Sequence, residues 1–156
     1  MIHLLPERHF TLVSPYSIQE ITTRIRARTQ PPKWDRETGE PVFNGIVSKN
    51  RFTISHKVRS GHNSLPLVRG RIEATASGAI IFLRMGLFPA AKGYLVSSSV
   101  LAFTIGIVFF TLADAIAAGI VSFLAGGVNY LILQINFQRK AKETFYQLSQ
   151  ILSPIS

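Results

Sequence analysis

The chain has 156 residues, contains no cysteine and carries a formal net charge of +9. The lack of cysteine excludes disulfides, thiol catalysis and cysteine-based metal sites. Only 16% of the residues are charged, and between Gly93 and Gln138 the single charged residue is Asp114. This distribution predicts one modest basic domain joined to a membrane-embedded segment.

The positive charge lies on both sides of the uncharged stretch, with +8 in residues 1–92 and +2 in residues 139–156. A strongly basic soluble protein would point to nucleic acid. Basic residues beside a membrane segment are instead typical of the cytoplasmic face, where they attract anionic lipid headgroups. We therefore predict anionic lipids and no nucleic acid as partners, and both termini in the cytoplasm.

The N-terminal residues contain no long apolar segment, so the internal helices are expected to direct membrane insertion. Residues 9–13 alternate apolar and polar side chains, which predicts a short strand. Two helix starts are open after it: Ser14 as N-cap with Pro15 in the first turn, or a capping box of Ser17 and Glu20. The apolar face of this helix is formed by Ile18, Ile21 and Ile25.

Four antiparallel strands are predicted after a polar connector at residues 30–41. The first two form a hairpin around a turn at residues 48–51. Pro66 indicates that the third strand starts at an edge or a bulge. The fourth is apolar on both faces, so we expect the helix to cover one face and the membrane the other. The predicted strands are residues 42–47, 52–57, 65–74 and 79–85.

Two apolar segments of about 20 residues each, 94–113 and 115–137, predict a transmembrane hairpin over residues 93–137. A single helix of that total length would extend far beyond a bilayer, so the chain is expected to turn near residues 113–115. Asp114 then lies at the tip of the hairpin, in the headgroup region. There its carboxylate is interpreted as part of the turn rather than as an intramembrane charge.

Small residues recur at every fourth position in both apolar segments, a spacing that lets helix backbones approach closely in lipid. Chance in an Ala/Gly-rich sequence is the alternative explanation. Asn129 and Gln134 are expected to bond across the helices or to a partner subunit. The two stripes predicted to face each other are Ser98, Ala102 and Gly106, and Ala118, Ser122 and Gly126.

Residues 138–156 are predicted to form an amphipathic C-terminal helix and tail. We expect the helix to pack back on the sheet and complete the soluble domain begun by residues 1–92; lying flat on the bilayer is the alternative. Its apolar stripe is Phe137, Ala141, Phe145, Leu148 and Leu152. The basic residues predicted to contact the membrane surface are Lys92, Arg139, Lys140 and Lys142.

No pattern in the sequence is typical of an active site. The histidines lack metal-ligand spacing, the serines at 97–99 have no neighbouring base, and there is no glycine-rich phosphate loop. We therefore predict no enzymatic activity, no metal and no cofactor. The histidines are His3, His9, His56 and His62.

An F-x-G strand, an F-x-I strand and a P-x-x-x-G-x-I strand precede the two apolar segments. In this pattern, over residues 42–150, the chain resembles a group of small bacterial membrane proteins with two transmembrane helices. The resemblance implies a fold and no activity, because its motif residues lie in strands and turns. They are Phe43, Gly45, Phe52, Ile54, Pro66, Gly70 and Ile72.

The sequence thus predicts an α+β membrane protein: a β-α-β-β-β-β cytoplasmic domain, a transmembrane helical hairpin, and a C-terminal helix on the sheet. The expected function is that of a non-catalytic accessory or assembly subunit that contacts a membrane-protein partner. The alternative is a membrane-anchored lipid- or small-ligand-binding module, with an apolar pocket enclosed by the sheet and the helices.

Overall fold

A computed structural model describes residues 5–30, 42–56, 65–111 and 115–152. It contains six strands and three helices in the described residues and confirms the α+β class. In chain order they are β1 (Glu7–Ser14), α1 (Ile18–Ala27), β2 (Thr29–Gln30), β3 (Phe43–Val47), β4 (Arg51–His56), β5 (Pro66–Thr75), β6 (Gly78–Leu87), α2 (Pro89–Thr111) and α3 (Ile116–Leu152).

The six strands form one sheet in the order β1-β6-β5-β4-β3-β2. Neighbours are antiparallel except β2 and β3, which run parallel. β1 lies beside the last strand, because the chain passes from β1 through α1 to the far edge of the sheet and returns strand by strand. The short β2 was missed in the sequence, where its residues ended one helix and began the polar connector.

The helix α1 begins at the second of the two possible starts. Ser17 is the N-cap: its hydroxyl accepts from the Glu20 backbone N–H, and the Glu20 carboxylate accepts from the Ser17 backbone N–H at 3.0 Å. This is a complete capping box. The start at Ser14 and Pro15 is wrong, because Ser14 is the last residue of β1.

One face of the sheet is buried beneath α1 and the C-terminal half of α3. The buried residues of β6 alternate along the strand, as do those of β5. On the other face of β6, Phe82 is 43% exposed, so no element of the described fold covers it there, and cover of that face by the membrane stays a prediction. The core of the sheet includes Phe43, Phe52, Ile54, Val68, Ile72, Ile81, Leu83 and Met85.

Two strand residues of the motif fit together across the sheet. Phe52 of β4 lies directly opposite Gly70 of β5. A side chain at position 70 would overlap the Phe52 ring, so glycine makes room for the aromatic side chain. Pro66 is the first residue of β5, an interior strand, so it marks a strand start and not a sheet edge.

The largest departure from expectation is the length of α3. The second apolar segment and the C-terminal amphipathic helix are a single helix of 37 residues. Its later part belongs to the core of the sheet, through Phe137, Ala141, Leu148 and Leu152. Phe145 stacks on Phe10 of β1 with ring centroids 4.4 Å apart. The Ser14 hydroxyl donates to the Leu152 carbonyl at 2.8 Å and so fixes the end of α3 to the end of β1.

Candidate membrane-anchoring site

The helices α2 and α3 carry most of the large apolar side chains that the fold leaves exposed. Each has a segment with mean hydropathy 1.9 of which only 11% is buried. The exposed side chains include Val96, Val100, Leu101, Phe103, Val121, Leu124, Val128, Leu131, Ile132 and Ile135. Monomeric soluble proteins rarely expose a contiguous apolar surface of this extent.

Both helices are also long enough to cross a bilayer. α2 has 23 residues, or about 35 Å at roughly 1.5 Å per residue, against about 30 Å of hydrocarbon. The low burial distinguishes them from the core helices of a soluble protein, and they follow the sheet rather than lie near the N-terminus. The structure therefore has two helices that are long and apolar enough for a two-pass membrane protein.

Small residues lie at contacts between α2 and α3. A Cβ atom on Gly126 would lie 2.9 Å from Cβ of Ala102, so this pair permits a close approach of the two backbones. Nearer the sheet, the Asn129 amide donates to the Ser98 hydroxyl at 3.2 Å. This is one of the two roles considered for Asn129 in the sequence.

The far half of the hairpin is packed by aromatic rings against glycines. A Cβ on Gly106 would lie 2.8 Å from the Phe123 ring, and one on Gly119 would lie 2.8 Å from the Phe110 ring. Phe123 also contacts the Phe103 ring, with centroids 5.4 Å apart. Phe123 is not among the predicted stripe residues, although it directly follows Ser122 in the sequence.

The remaining two stripe residues, Ala118 and Ser122, are half-buried on α3. The Ser122 hydroxyl donates to the Ala118 carbonyl of its own helix at 3.0 Å, so it makes no hydrogen bond to α2 there. That the two complete stripes drive the association of the helices in lipid stays a prediction. A disulfide between cysteines introduced at 102 and 122 would test it, and its absence alongside strong cross-links on the opposite faces would contradict it.

Basic residues border the apolar surface on the side of the sheet. Lys92 lies in the first turns of α2, half-buried, while Arg139 and Lys142 are exposed on α3 just after the apolar segment. Lys140 pairs with Glu143 at 2.7 Å, and this hydrogen bond lowers the pKa of the Glu143 carboxyl. Asp114, predicted at the hairpin turn, lies outside the described residues.

The described residues include no group of three or more His, Asp or Glu side chains that could hold a metal ion. His9 contacts Glu7 at 3.3 Å, and His56 lies edge-on to Phe43 with ring centroids 6.0 Å apart. His3 and His62 lie outside the described residues.

The three consecutive serines of α2 hydrogen-bond to their own helix. The Ser97 hydroxyl donates to the Tyr94 carbonyl at 3.1 Å, and those of Ser98 and Ser99 donate to the Leu95 carbonyl at 3.1 and 2.7 Å. This is how polar side chains are accommodated in an apolar helix. It gives them no nucleophilic role.

Two buried amide oxygens of α3 lack a hydrogen-bond partner among the described residues. They are the Oε1 atoms of Gln134, at the base of the hairpin, and of Gln147, beside the sheet. A buried amide oxygen without a partner costs about 1–3 kcal/mol. Both oxygens are covered by the fold itself, so the bond to a partner subunit considered for Gln134 stays a prediction.

Neither family models nor curated proteins identify a relative of this chain. No protein-family model matches the chain, and no curated protein matches it at a significant level. The resemblance to small bacterial two-helix membrane proteins therefore stays a prediction, and function must be argued from the geometry.

Proposed function

We propose that the protein is a two-pass integral membrane protein, with α2 and the first half of α3 across the bilayer. The sheet lies on the cytoplasmic side in this proposal, because Lys92, Arg139 and Lys142 border the apolar surface at the sheet end. The exposed apolar side chains of the hairpin would then contact lipid. Both chain termini are cytoplasmic in this arrangement.

The continuity of α3 is the observation that carries the functional proposal. Its 37 residues extend about 55 Å, and about 20 of these residues suffice to cross the hydrocarbon. The rest of the same helix forms part of the core of the sheet through Phe137 and Leu148. The sheet is therefore held at a fixed height and orientation above the bilayer, without a flexible linker.

A domain fixed in this way suits a protein that presents a surface to a neighbour. We propose that the chain acts as a non-catalytic accessory or assembly subunit of a larger membrane complex. The rigid connection along α3 between the hairpin and the core of the sheet supports this. The partner would contact the hairpin, the sheet or both.

The alternative, a lipid- or small-ligand-binding module, requires an apolar cavity between the sheet and its helices. That space is filled by core side chains such as Ile21, Ile54 and Phe137, which are 0–1% exposed. Two depressions, of about 310 and 270 Å³, lie outside this core, one on the open sheet face and one beside Gly126 on the hairpin. The geometry thus favours the accessory-subunit proposal.

Purification of the tagged full chain from its native membrane in a mild detergent, followed by mass spectrometry, tests the proposal. We expect at least one membrane protein to co-purify in a stoichiometric amount, and to be absent when an untagged chain is processed in parallel. A chain that runs as a lone monomer under these conditions contradicts the subunit role.

Reporter fusions test the orientation separately. We expect cytoplasmic readouts for fusions at both ends of the chain and a non-cytoplasmic readout for a fusion at Asp114. A cytoplasmic readout at Asp114 would contradict the two-pass arrangement while leaving the fold intact.

A further inference from the structure

The open face of the sheet carries four arginines in a compact group. The register places Arg51 of β4 opposite Arg71 of β5, and Arg69 of β5 opposite Arg84 of β6. Arg69 and Arg71 are two residues apart, so their side chains emerge on the same face. All four are exposed, and we call them the arginine quartet.

The arginine quartet is expected to destabilise the sheet. Like charges directly opposite each other on neighbouring strands destabilise the pairing, and here two such pairs lie side by side. Glu7 pairs with Arg84, and Glu73 pairs with Arg71 at 2.8 Å. In the part of the chain that the structure describes, Arg51 and Arg69 pair with no carboxylate. The face therefore keeps an excess of positive charge that folding does not require.

The shape of this face fits an extended partner. The quartet lines an open depression of about 310 Å³ together with Phe82 and Thr11. Small-molecule sites bury most of their ligand in a cleft, whereas this depression is a shallow surface across β4, β5, β6 and β1. Phe82 is the only Phe, Tyr or Trp on this face among the described residues, while single-stranded nucleic acid is bound by successive stacking aromatics.

The position of the quartet separates it from lipid headgroups. The stacking of Phe145 on Phe10 and the bond from Ser14 to Leu152 show that β1 extends away from the hairpin alongside α3. Arg84 and Phe82 lie three and five residues before Leu87, the end of β6 nearest the hairpin. At about 3.4 Å per residue they are roughly 10 and 17 Å further out. The headgroup layer is only about 5–8 Å thick.

We propose that the arginine quartet binds an acidic, extended segment of the partner protein. The inference rests on the proposed subunit function and names the chemistry of the contact. Residues two apart in an extended chain are separated by about the same distance as Arg69 and Arg71. Glu or Asp side chains at alternate positions of the partner can therefore meet successive arginines, whose guanidinium groups bind carboxylates in a bidentate manner.

The test uses the full chain in nanodiscs of phosphatidylcholine at low ionic strength. The probe is a short synthetic peptide of alternating Glu and Thr, and the reference peptide has Gln in place of Glu. The test variant is Arg69→Gln/Arg71→Gln. The matched control, Arg26→Gln/Arg28→Gln, removes the same charge from exposed positions in the last turn and at the C-cap of α1, on the opposite side of the sheet.

We expect the Glu peptide to bind and the Gln peptide not to bind. The test variant should weaken binding about tenfold or more, and the control by less than about twofold. Equal weakening in both variants would overturn the proposal, because net charge alone would then explain binding. Binding of short oligouridylate in preference to the peptide would overturn it in favour of nucleic acid. Binding only of phosphatidylglycerol vesicles would overturn it in favour of lipid.

The same variants separate this inference from the subunit function. A partner that co-purifies in equal amount with wild type and with Arg69→Gln/Arg71→Gln would overturn the role of the quartet and leave the subunit function standing. Loss of the partner from this variant alone, with the Arg26→Gln/Arg28→Gln chain retaining it, supports both.

Discussion

The two halves of α3 form one continuous helix but differ in which side chains they expose and which they bury. In residues 116–135 large apolar side chains such as Val121 and Leu124 are each 63% exposed, while Gly119 and Gly126 face α2. In residues 137–152 the apolar side chains that face the sheet, such as Phe137 and Leu148, are buried and the charged ones are exposed. In water the hydrophobic effect buries large apolar side chains. In lipid there is no such driving force between helices, and small residues permit their close packing. The reversal at Phe137 therefore marks the proposed boundary between hydrocarbon and water.

Hydroxyl side chains on both sides of the boundary donate to carbonyls of their own helix, as Thr144 does to Lys140 in the second half of α3. In the hairpin the hydroxyls of Ser97, Thr111 and Ser122 all donate to carbonyls of their own helix. In the sheet domain the Ser14 hydroxyl reaches a different element, the carbonyl of Leu152. The Asn129 amide donates to the Ser98 hydroxyl from one hairpin helix to the other, toward the end nearer the sheet.

The largest difference between the two halves of α3 is expected when one apolar side chain is truncated on each side of the boundary. Phe137 is 1% exposed and Ile135 is 51% exposed. We expect Phe137→Ala to lower the free energy of unfolding of the sheet domain by about 3–5 kcal/mol, since it leaves a cavity in the core. Ile135→Ala, the matched control, should cost less than about 1 kcal/mol. Denaturant unfolding in detergent, followed by near-UV circular dichroism, measures both; equal losses would contradict the contrast.

A second pair of variants tests whether a small residue is required where α2 and α3 pack inside the hairpin. A Cβ on Gly126 would press on Ala102, whereas one on Gly127 would meet nothing within 4 Å. We expect Gly126→Ala to destabilise the helix pair by about 1–3 kcal/mol through overpacking. Gly127→Ala should be neutral or stabilise by up to about 1 kcal/mol, since alanine is the better helix former. Unfolding in dodecyl sulfate, monitored by helicity, distinguishes them; identical curves would show that Gly126 is not at a tight contact.

A smaller effect is expected where α3 ends against the sheet. Ser14→Ala removes the buried hydroxyl that donates to Leu152, and we expect a loss of about 1 kcal/mol. Ser17→Ala, which removes the N-cap of α1, should cost a similar amount. Hydrogen exchange separates the two: only Ser14→Ala should speed exchange in the last turn of α3. Equal exchange there in both variants would contradict the assigned contact.

The smallest effect concerns pH and the capping box of α1. Hydrogen bonds from the Ser17 backbone and hydroxyl hold the pKa of Glu20 below its ordinary value of 4.5. The folded state thus binds this proton more weakly than the unfolded state. Its contribution is complete above the ordinary pKa and is lost as the pH falls through the lowered value. We expect Glu20→Gln to reduce the acid dependence of the unfolding midpoint between neutral pH and about pH 3. A pH profile unchanged from wild type would refute the assignment.

The sequence predicted those parts of the fold that depend on local pattern. The hairpin of β3 and β4, the apolar face of α1 and the two long apolar helices all follow from periodicity and turn residues. The continuity of α3 was also readable, since no Gly or Pro occurs between Gly127 and Pro154. The change in side-chain pattern at Phe137 instead suggests two separate helices, although only the surroundings of one continuous helix change there.

Other features depend on distant contacts that local pattern does not contain. Ser14 had the type and position of an N-cap, yet it ends a strand and bonds to Leu152, 138 residues away. The arginine quartet was equally hidden. Arg51, Arg69, Arg71 and Arg84 come together only through the register of three strands, and in the sequence they read as ordinary strand residues.

Labelling of single cysteines along α3 tests the central claim most directly, and the native chain contains no cysteine to interfere. Cysteines at positions 121, 124 and 131 replace side chains that are more than half exposed in the first half of the helix. Those at Lys142 and Tyr146 replace exposed residues in the second half. With a membrane-impermeant maleimide on inside-out vesicles, we expect labelling at 142 and 146 and none at 121, 124 and 131 until detergent is added. Equal labelling at all five positions would contradict the placement of one continuous helix across the bilayer and into the domain.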